Sequence, residues 1–205
     1  MSGRTRKHGE RAPLDAYYTD DRVAWAIVQE VMRHIIIMDE PPLRILEPHV
    51  GGGAFIRAFK RLNNPKIKYT AMDLNPESEG LKLADTVLPC GDFLEFAENW
   101  NPKRKPYDIV IGNPPFSDDG VVVAHEHIEA ARKVGRWVIM LTRVGLFTAL
   151  RRREWCRKFK PLLTYDLAPR PSFTGRGTDS AEYRVSVIGP YLPHTSRHNI
   201  LWWKE

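Results

Sequence analysis

The chain is poor in cysteine and has no long apolar run, and both features limit what it can be. Its two cysteines, Cys90 and Cys156, lie far apart and in no spacing that is typical of metal ligands. A disulfide framework is therefore excluded, and a reducing compartment, by default the cytoplasm, is expected. The apolar run at 35–38 is far too short to cross a membrane, and the first residues lack the apolar core of a signal peptide. We therefore expect no membrane partner.

The chain also lacks signs of a second domain. It has no internal repeat, no long low-complexity tract and no shift in composition along its 205 residues. A chain of this length most often forms one domain, and its hydrophobic content of 42% is ordinary for a soluble globular protein. We predict a basic, flexible arm at 1–14 and a single domain at 15–205, as a monomer or weak dimer.

Positive charge is in excess and is concentrated in two segments. The net charge of +6 and the sequence pI of about 9.4 favour polyanionic partners without identifying one. One basic cluster lies in the amino-terminal arm, and a second occupies 151–160, where helical spacing places Trp155 and Phe159 on one face. Such a run is often only a solvated helix face. The accompanying aromatics favour contacts with a phosphate backbone, and we predict Arg152 and Arg153 among them.

Apolar runs and amphipathic periods alternate along most of the chain. Strands are predicted at 43–46, 67–72, 87–90, 107–111 and 137–141, and helices at 21–38, 54–62, 77–83, 93–99 and 120–133. This alternation indicates a parallel, doubly wound sheet that binds ligands at the carboxyl ends of its strands. Two further strands, at 162–167 and 182–188, predict an antiparallel hairpin. The predicted fold is Rossmann-like α/β, with a mostly parallel seven-stranded sheet, helices on both faces and this carboxyl-terminal antiparallel hairpin.

The most informative segment is Asn113-Pro114-Pro115-Phe116, which follows an apolar strand ending at Gly112. Its two prolines fix two φ angles and remove two backbone donors, so the loop presents carbonyl oxygens in a rigid arrangement. An amide side chain precedes the prolines and an aromatic ring follows them. This arrangement suits a planar group that carries an exposed amine, although an isolated Asn-Pro-Pro turn is usually no more than a turn.

Glycine and acidic residues follow the earlier predicted strands. Glu47 ends the first strand, and Gly51 and Gly53 then allow a ligand to approach the backbone at a helix amino terminus. Asp73 ends the second strand, where an acidic group would bond a ribose diol or merely cap a helix. Asp92-Phe93 ends the third, and its carboxylate could accept a bond from an adenine amino group. Each signal is common in isolation, so their order and spacing are what matter.

In that order the residues resemble the amino-group methyltransferases that use S-adenosylmethionine. The residues that match are Glu47-Pro48, Gly51 and Gly53, then Asp73, then Asp92-Phe93, then Asn113-Pro114-Pro115-Phe116. The closest resemblance is to the adenine-N6 class of DNA methyltransferases, particularly small prokaryotic and phage-type enzymes, and it covers nearly the whole chain. Tyr17-Tyr18-Thr19 looks like the family's amino-terminal cofactor motif, although Asp20 replaces the usual proline. His49 stands where small residues are usual.

The resemblance implies a class I methyltransferase fold and a site for S-adenosyl-L-methionine. Glu47 would lie near the cofactor's ammonium, with the backbone of Gly51 and Gly53 close to its methionine part. The other implied cofactor contacts are Asp73 at the ribose, Asp92 and Phe93 at the adenine, Tyr18 and Thr19 on the other side, and Leu74 and Asn113.

The resemblance also assigns the catalytic loop. The side-chain oxygen of Asn113 and the carbonyl of Pro114 would accept both hydrogens of the substrate amine, which directs the nitrogen lone pair at the methyl group. Phe116 would stack on the base, and Pro115 belongs to the same rigid loop.

A second implied substrate contact is the loop at 170–180, which resembles the family's late loop beside the substrate pocket. Phe173 would be a second stacking residue for a base that has left the duplex, or else a hydrophobic plug. Arg170 and Arg176 could meet phosphates.

The implied reaction is methylation of the exocyclic N6 amine of adenine in DNA. The loops leave no room for a large target-recognition domain, so specificity is expected to be low or limited to a short site. Adenine-N6 methylation of ribosomal RNA is the principal alternative. Protein-glutamine methylation and a cofactor-binding pseudoenzyme subunit are further alternatives, disfavoured by the basic segments and by the intact 113–116 motif respectively.

No metal site is predicted. His125-Glu126-His127 resembles a metal-binding pattern, but adjacent residues on a helix point apart. We therefore predict all three at the surface.

Overall fold

The structure, a computed structural model, describes residues 18–35, 42–104, 106–118, 121–172, 181–190 and 197–204. Its helices are α1 (Asp21–Met32), α2 (Ala54–Lys60), α3 (Phe93–Glu98), α4 (Ala124–Val134) and α5 (Arg153–Lys158), with 3₁₀ turns at Glu79–Leu83, Val144–Phe147 and Leu150–Arg152. Its strands are β1 (Leu43–Glu47), β2 (Ile67–Ala71), β3 (Thr86–Val87), β4 (Tyr107–Gly112), β5 (Ser117–Asp118), β6 (Val121–Val122), β7 (Gly135–Arg143), β8 (Leu163–Ala168), β9 (Tyr183–Ile188) and β10 (Arg197–Trp202). The predicted arm at 1–14, and also Phe173 and Arg176, lie outside the described residues.

The main sheet has eight strands in the order β10-β8-β9-β7-β4-β1-β2-β3. Its neighbouring strands are parallel, except that β9 is antiparallel to both β7 and β8. The strands β5 and β6 form a separate antiparallel pair. The predicted α/β fold with a carboxyl-terminal antiparallel hairpin is confirmed, but the sheet has eight strands rather than seven.

Helices cover both faces of the sheet. The helices α1 and α2 pack with Ile109 and Ile111 of β4 in one core cluster, and α3 and α4 pack with Val110 of the same strand in the other. Every residue of β4 is buried, which explains why this strand reads as an unbroken apolar run. Among the described helices, none has the length and apolar character needed to cross a membrane.

Several element boundaries differ from the prediction. The helix α1 ends at Met32 rather than near residue 38, and α4 begins at Ala124 rather than at 120. The strand β3 ends at Val87 because Pro89, soon after it, has no N–H to donate to the ladder. The basic segment is helical only over Arg153–Lys158, since the residues before it form a 3₁₀ turn.

The sequence does not predict the short pair β5 and β6, nor, within the main sheet, the strand β10. The strand β10 lies at the edge of the sheet, and Trp202 at its end is exposed. The next residue, Trp203, anchors it: the backbone N–H donates to the carbonyl of Ala168 at 3.1 Å, and the indole N–H donates to that of Pro169 at 2.6 Å. The guanidinium of Arg22 lies 5.5 Å from the ring centroid of Trp203. These contacts join the strand to β8 and to α1.

Replacement of Trp203 by alanine should lower the free energy of unfolding by about 2 kcal/mol, because it removes an indole hydrogen bond and a partly buried ring. Trp202, which is 72% exposed, is the matched control, and W202A should stay within about 0.5 kcal/mol of wild type. Denaturant unfolding followed by circular dichroism measures both. Equal losses in the two variants would show that Trp203 is not the anchor.

Candidate active site

The carboxyl ends of β1, β2, β4 and β7 meet at one edge of the sheet because these strands are parallel neighbours. The predicted glycine turn follows β1, Asp73 follows β2, and Asn113 follows β4. Open parallel sheets bind their ligands at this edge. The structure therefore brings together the residues on which the family resemblance rests.

The turn after β1 is closely packed against its neighbours. Gly51 and Gly53 have positive φ angles of 45° and 78°, which glycine adopts without steric cost. A Cβ on Gly53 would lie 2.8 Å from the Cα of Gly80, so a larger residue would force the backbone to move. The ring of Tyr18 would lie 3.4 Å from a Cβ on Gly51. The exposed Tyr18 thus lies beside a bare glycine surface.

Asp73 holds the loop after β2 against this turn. Its carboxylate oxygens accept hydrogen bonds from the backbone N–H groups of Gly51 at 2.8 Å and Asn75 at 2.9 Å. Leu74, the next residue, is 61% exposed. The predicted ribose-binding residue is therefore also the one that connects the first two strand ends.

The predicted adenine pair divides into one exposed and one buried side chain. Asp92 is exposed and caps α3, since its carboxylate accepts from the backbone N–H of Leu94 at 2.7 Å. Phe93 is buried in the core between α3 and α4. The carboxylate of Asp92 is therefore open to solvent, whereas the ring of Phe93 is not.

Glu47 ends β1 with a buried carboxylate. The residue is 3% exposed, and its Oε2 has no hydrogen-bond partner among the described residues. Burial raises the pKa of this carboxyl well above its ordinary value, against a backbone hydrogen bond from Ile56 and the charge of Arg57, while Asp73 raises it further. A buried carboxylate with an unpartnered oxygen is costly unless a cation pairs with it. This position therefore suits a positively charged group of a ligand.

Asn113 connects the loop after β4 to the amino-terminal segment. Its Nδ2 donates to the hydroxyl oxygen of Thr19 at 3.4 Å, and its side chain is partly buried. Of the prolines that follow, Pro114 is buried and Pro115 is exposed. The bond to Thr19 orients the carboxamide of Asn113 at the sheet edge.

Phe116 is covered by its neighbours. Its side chain is 7% exposed, with the guanidinium carbon of Arg143 at 5.4 Å from the ring centroid and the ring of Tyr183 at 5.6 Å. A base could stack on this ring only after a neighbour moves. Arg143 is a site residue that the sequence analysis does not identify, although its place at the end of β7 is a signal that could have revealed it.

A histidine pair fills the space between the β1 turn and α4. His49 Nε2 and His127 Nδ1 lie 2.9 Å apart, and Phe93 packs against both rings. The prediction that His127 is at the surface is wrong, because this residue is 6% exposed. The signal was available in the sequence: His127 lies three residues after Ala124 and four before Ala131, on the apolar face of α4.

Arg152 has a structural role that the sequence does not reveal. The residue is 8% exposed, and its guanidinium donates to the carbonyls of Leu146 at 2.8 Å and Gly145 at 3.1 Å. The predicted phosphate contact is corrected accordingly, because these bonds hold the guanidinium against the turn that follows β7. By contrast, the predicted phosphate contacts Arg153 and Arg170 are exposed.

The histidine pair should make stability depend on pH. Burial lowers the pKa of His127 to about 4, although the charge of Asp92 acts in the opposite direction, and burial also lowers the pKa of His49 well below its ordinary value. The neutral pair therefore contributes its full stability above about pH 6.5, and this contribution is lost as the pH falls toward 4.

Between about pH 7 and pH 5, the free energy of unfolding of the wild type should fall by about 2 kcal/mol because of His127 alone. The free energy of unfolding of H127Q should fall by less over the same interval. H34Q, a change at a partly exposed histidine, is measured alongside for comparison. Denaturant unfolding across this range measures the effect, and an unchanged slope in H127Q would contradict a buried neutral pair.

Comparison with known proteins gives relatives in sequence and in fold. No protein-family model matches the chain. The type II methyltransferase M.TthHB8I of Thermus thermophilus is 29% identical over 89 residues, which are 42% of this chain and 19% of that protein. The chain thus spans about a fifth of the length of this curated relative.

Solved structures share the fold. The methyltransferase subunit of a type I restriction-modification system from Streptococcus thermophilus has a TM-score of 0.65 and 16% identity, over 84% of this chain and 44% of that chain. The type IIG restriction endonuclease BpuSI has a TM-score of 0.62 and 14% identity, over 91% of this chain and 26% of that chain. The predicted class I methyltransferase fold is confirmed, and the predicted resemblance to DNA methyltransferases agrees with the type II methyltransferase that the sequence comparison finds.

Proposed function

We propose that this chain transfers the methyl group of S-adenosyl-L-methionine to the exocyclic N6 amine of adenine in DNA, with low or short sequence specificity. The observation that carries the proposal is that Asn113 and Pro114 lie at the same sheet edge as the buried, unpartnered oxygen of Glu47. The first two suit an amine that donates two hydrogen bonds, and the third suits a cation. Methyl transfer from this cofactor to an amine needs both.

The residues around the β1 turn fit this cofactor. Glu47 would hold its ammonium, the backbone of Gly51 and Gly53 would face its methionine part, and Asp92 would receive its adenine amine. Asp73 would bond the ribose hydroxyls through the lone pairs that its two backbone bonds leave available. When bound, the cofactor supplies an electrophilic methyl group attached to a sulfonium.

The remaining cofactor contacts are proposed from the places of the residues in the fold. The exposed Leu74 and Tyr18 would cover opposite sides of the ligand with apolar surface, and Phe93 would support the adenine end from the core. Thr19 would act through its bond to Asn113, which connects the cofactor side of the site to the substrate side.

The chain's own residues would activate the amine by holding it. An aromatic amine is a weak nucleophile because its lone pair is delocalised into the ring. If Asn113 Oδ1 and the Pro114 carbonyl each accept one hydrogen, a pyramidal nitrogen with a directed lone pair is favoured. The contribution of the protein is then position and electrostatics, and the methylated nitrogen releases one proton.

A nucleic-acid substrate is proposed because of the positive charge of the chain. Arg153 and Arg170 are exposed, and Arg176 and Phe173 remain proposed contacts on sequence grounds. A duplex base can reach Asn113 only after it leaves the stack. Because the segments between the motifs are short, they offer few side chains for reading a sequence, which favours low specificity.

Replacement of Glu47 by Gln should weaken S-adenosyl-L-methionine roughly 10- to 100-fold, since a charge-assisted hydrogen bond of about 1.5–3 kcal/mol is lost. The free protein should be as stable as wild type or more stable, because Gln at this buried position carries no charge and takes up no proton on folding. Calorimetric titration and thermal unfolding measure the two effects. E77Q, a change at an exposed glutamate after β2, should alter neither. A less stable E47Q protein with normal cofactor affinity would contradict the assignment.

Replacement of Asn113 by Ala should abolish methyl transfer and leave cofactor affinity within about threefold of wild type, because one of the two amine acceptors is removed. The control is N101A, which changes another Asn-Pro pair, in the loop before β4, and should keep full activity. Labelled cofactor is incubated with duplex DNA, single-stranded DNA, ribosomal RNA or a release-factor protein, and the modified atom is identified. Label only in RNA or in glutamine would overturn the DNA proposal, and cofactor binding without turnover would indicate a pseudoenzyme.

A further inference from the structure

Arg143 differs in its surroundings from the ion-paired arginines Arg57 and Arg184. Arg57 is paired with Asp21 and Arg184 with Asp166. Within the described ranges, Arg143 has no ion pair, and its guanidinium lies over the ring of Phe116 while its side chain is exposed. An exposed guanidinium without a counter-charge, at the edge where strand ends bind ligands, is available to an anion.

The contact of Arg143 is with the ring on which the target base is expected to stack. Phe116 is 7% exposed, and besides Arg143 the ring of Tyr183 packs against it. A base and the guanidinium cannot occupy the same face of Phe116. Of the two neighbours, the exposed Arg143 side chain can leave more readily than Tyr183, which is buried in the core.

A second basic surface follows β7 in the chain. The chain runs from β7 directly into a groove of about 370 Å³ whose lining includes Phe147, Leu150, Arg153, Arg157 and Lys160. Its three cations and two apolar side chains suit a strand of phosphates and bases. The groove therefore offers a second basic surface to the nucleic acid.

We propose that Arg143 takes the place of the target base on Phe116 in the free protein, and that it moves to the backbone phosphate of the target nucleotide when the base enters. This inference rests on the proposed function, since it requires a nucleic-acid substrate. The planar guanidinium fork matches a phosphate with two parallel hydrogen bonds. Arg143 would thus be a positioning residue, because it exchanges an aromatic contact for a phosphate contact as the substrate binds.

The test is the salt dependence of DNA binding, measured by fluorescence anisotropy with a labelled single-stranded oligodeoxynucleotide in the presence of S-adenosylhomocysteine. For a single strand, each phosphate contact contributes about 0.7 to the slope of log affinity against log salt. We expect R143A to reduce the slope by about 0.7 and to weaken binding roughly tenfold at low salt, with cofactor affinity unchanged. R143K keeps the charge, so it should retain the slope while losing part of the affinity.

R61A is the matched control. The guanidinium of Arg61 lies 4.2 Å from the ring centroid of Trp25, at the end of α2 opposite to the site, so this variant removes the same kind of contact and the same charge. It should leave the slope unchanged. If R143A also leaves the slope of log affinity against log salt unchanged, the inference is overturned. The contact of Arg143 with Phe116 would then have only a structural role.

The outcomes separate this inference from the proposed function. Wild-type protein that methylates DNA, with a slope that R143A does not alter, refutes only the role of Arg143. Wild-type protein that binds no nucleic acid refutes both. If the protein binds RNA and not DNA, the same slope measured on RNA tests Arg143, and the DNA proposal alone is overturned.

Discussion

The parallel pairing of β4 with β1 and β7 is the constraint on which the site depends. Because the three strands run in the same direction, their carboxyl ends bring Glu47, Asn113 and Arg143 to one edge, although they are far apart in sequence. The register is also tight at this edge: a Cβ on Gly112 would lie 3.4 Å from Nδ1 of His49. A slip of β4 would therefore disturb both the amine-binding loop and the turn after β1.

Burial determines the charge of the polar groups behind this edge. It raises the pKa of Glu47 and lowers the pKa values of His49 and His127, so each group is shifted toward its neutral form. The two effects have different consequences for a cationic ligand. A carboxyl that regains its charge beside an ammonium can pair with it, whereas a neutral histidine pair adds no positive charge near the proposed sulfonium. The uncommon His49 is thus compatible with a site for a cation.

The parts of the fold and site that could be predicted are those set by local chemistry. Apolar runs identified the central strands, the glycines at 51–53 identified the turn after β1, and prolines identified the rigid loop at 113–116. The errors concern contacts between distant elements. Arg152 reads as a surface charge because its sequence neighbours are charged, yet it bonds the carbonyls of the preceding turn. The strand β10 escapes prediction because an edge strand packs on few neighbours and needs no strong apolar alternation.

By itself, the sequence determined the alternating α/β order, the glycine turn, the Asn-Pro-Pro-Phe loop and the excess of positive charge, because each depends on residues close together in the chain. Tertiary structure alone decided that Phe116 is covered by Arg143, that His49 and His127 form a pair, and that a buried oxygen of Glu47 finds no hydrogen-bond partner among the described residues. These features depend on which strands are neighbours and on how much water reaches each side chain. Both are properties of the packed sheet, and no local stretch of sequence contains them.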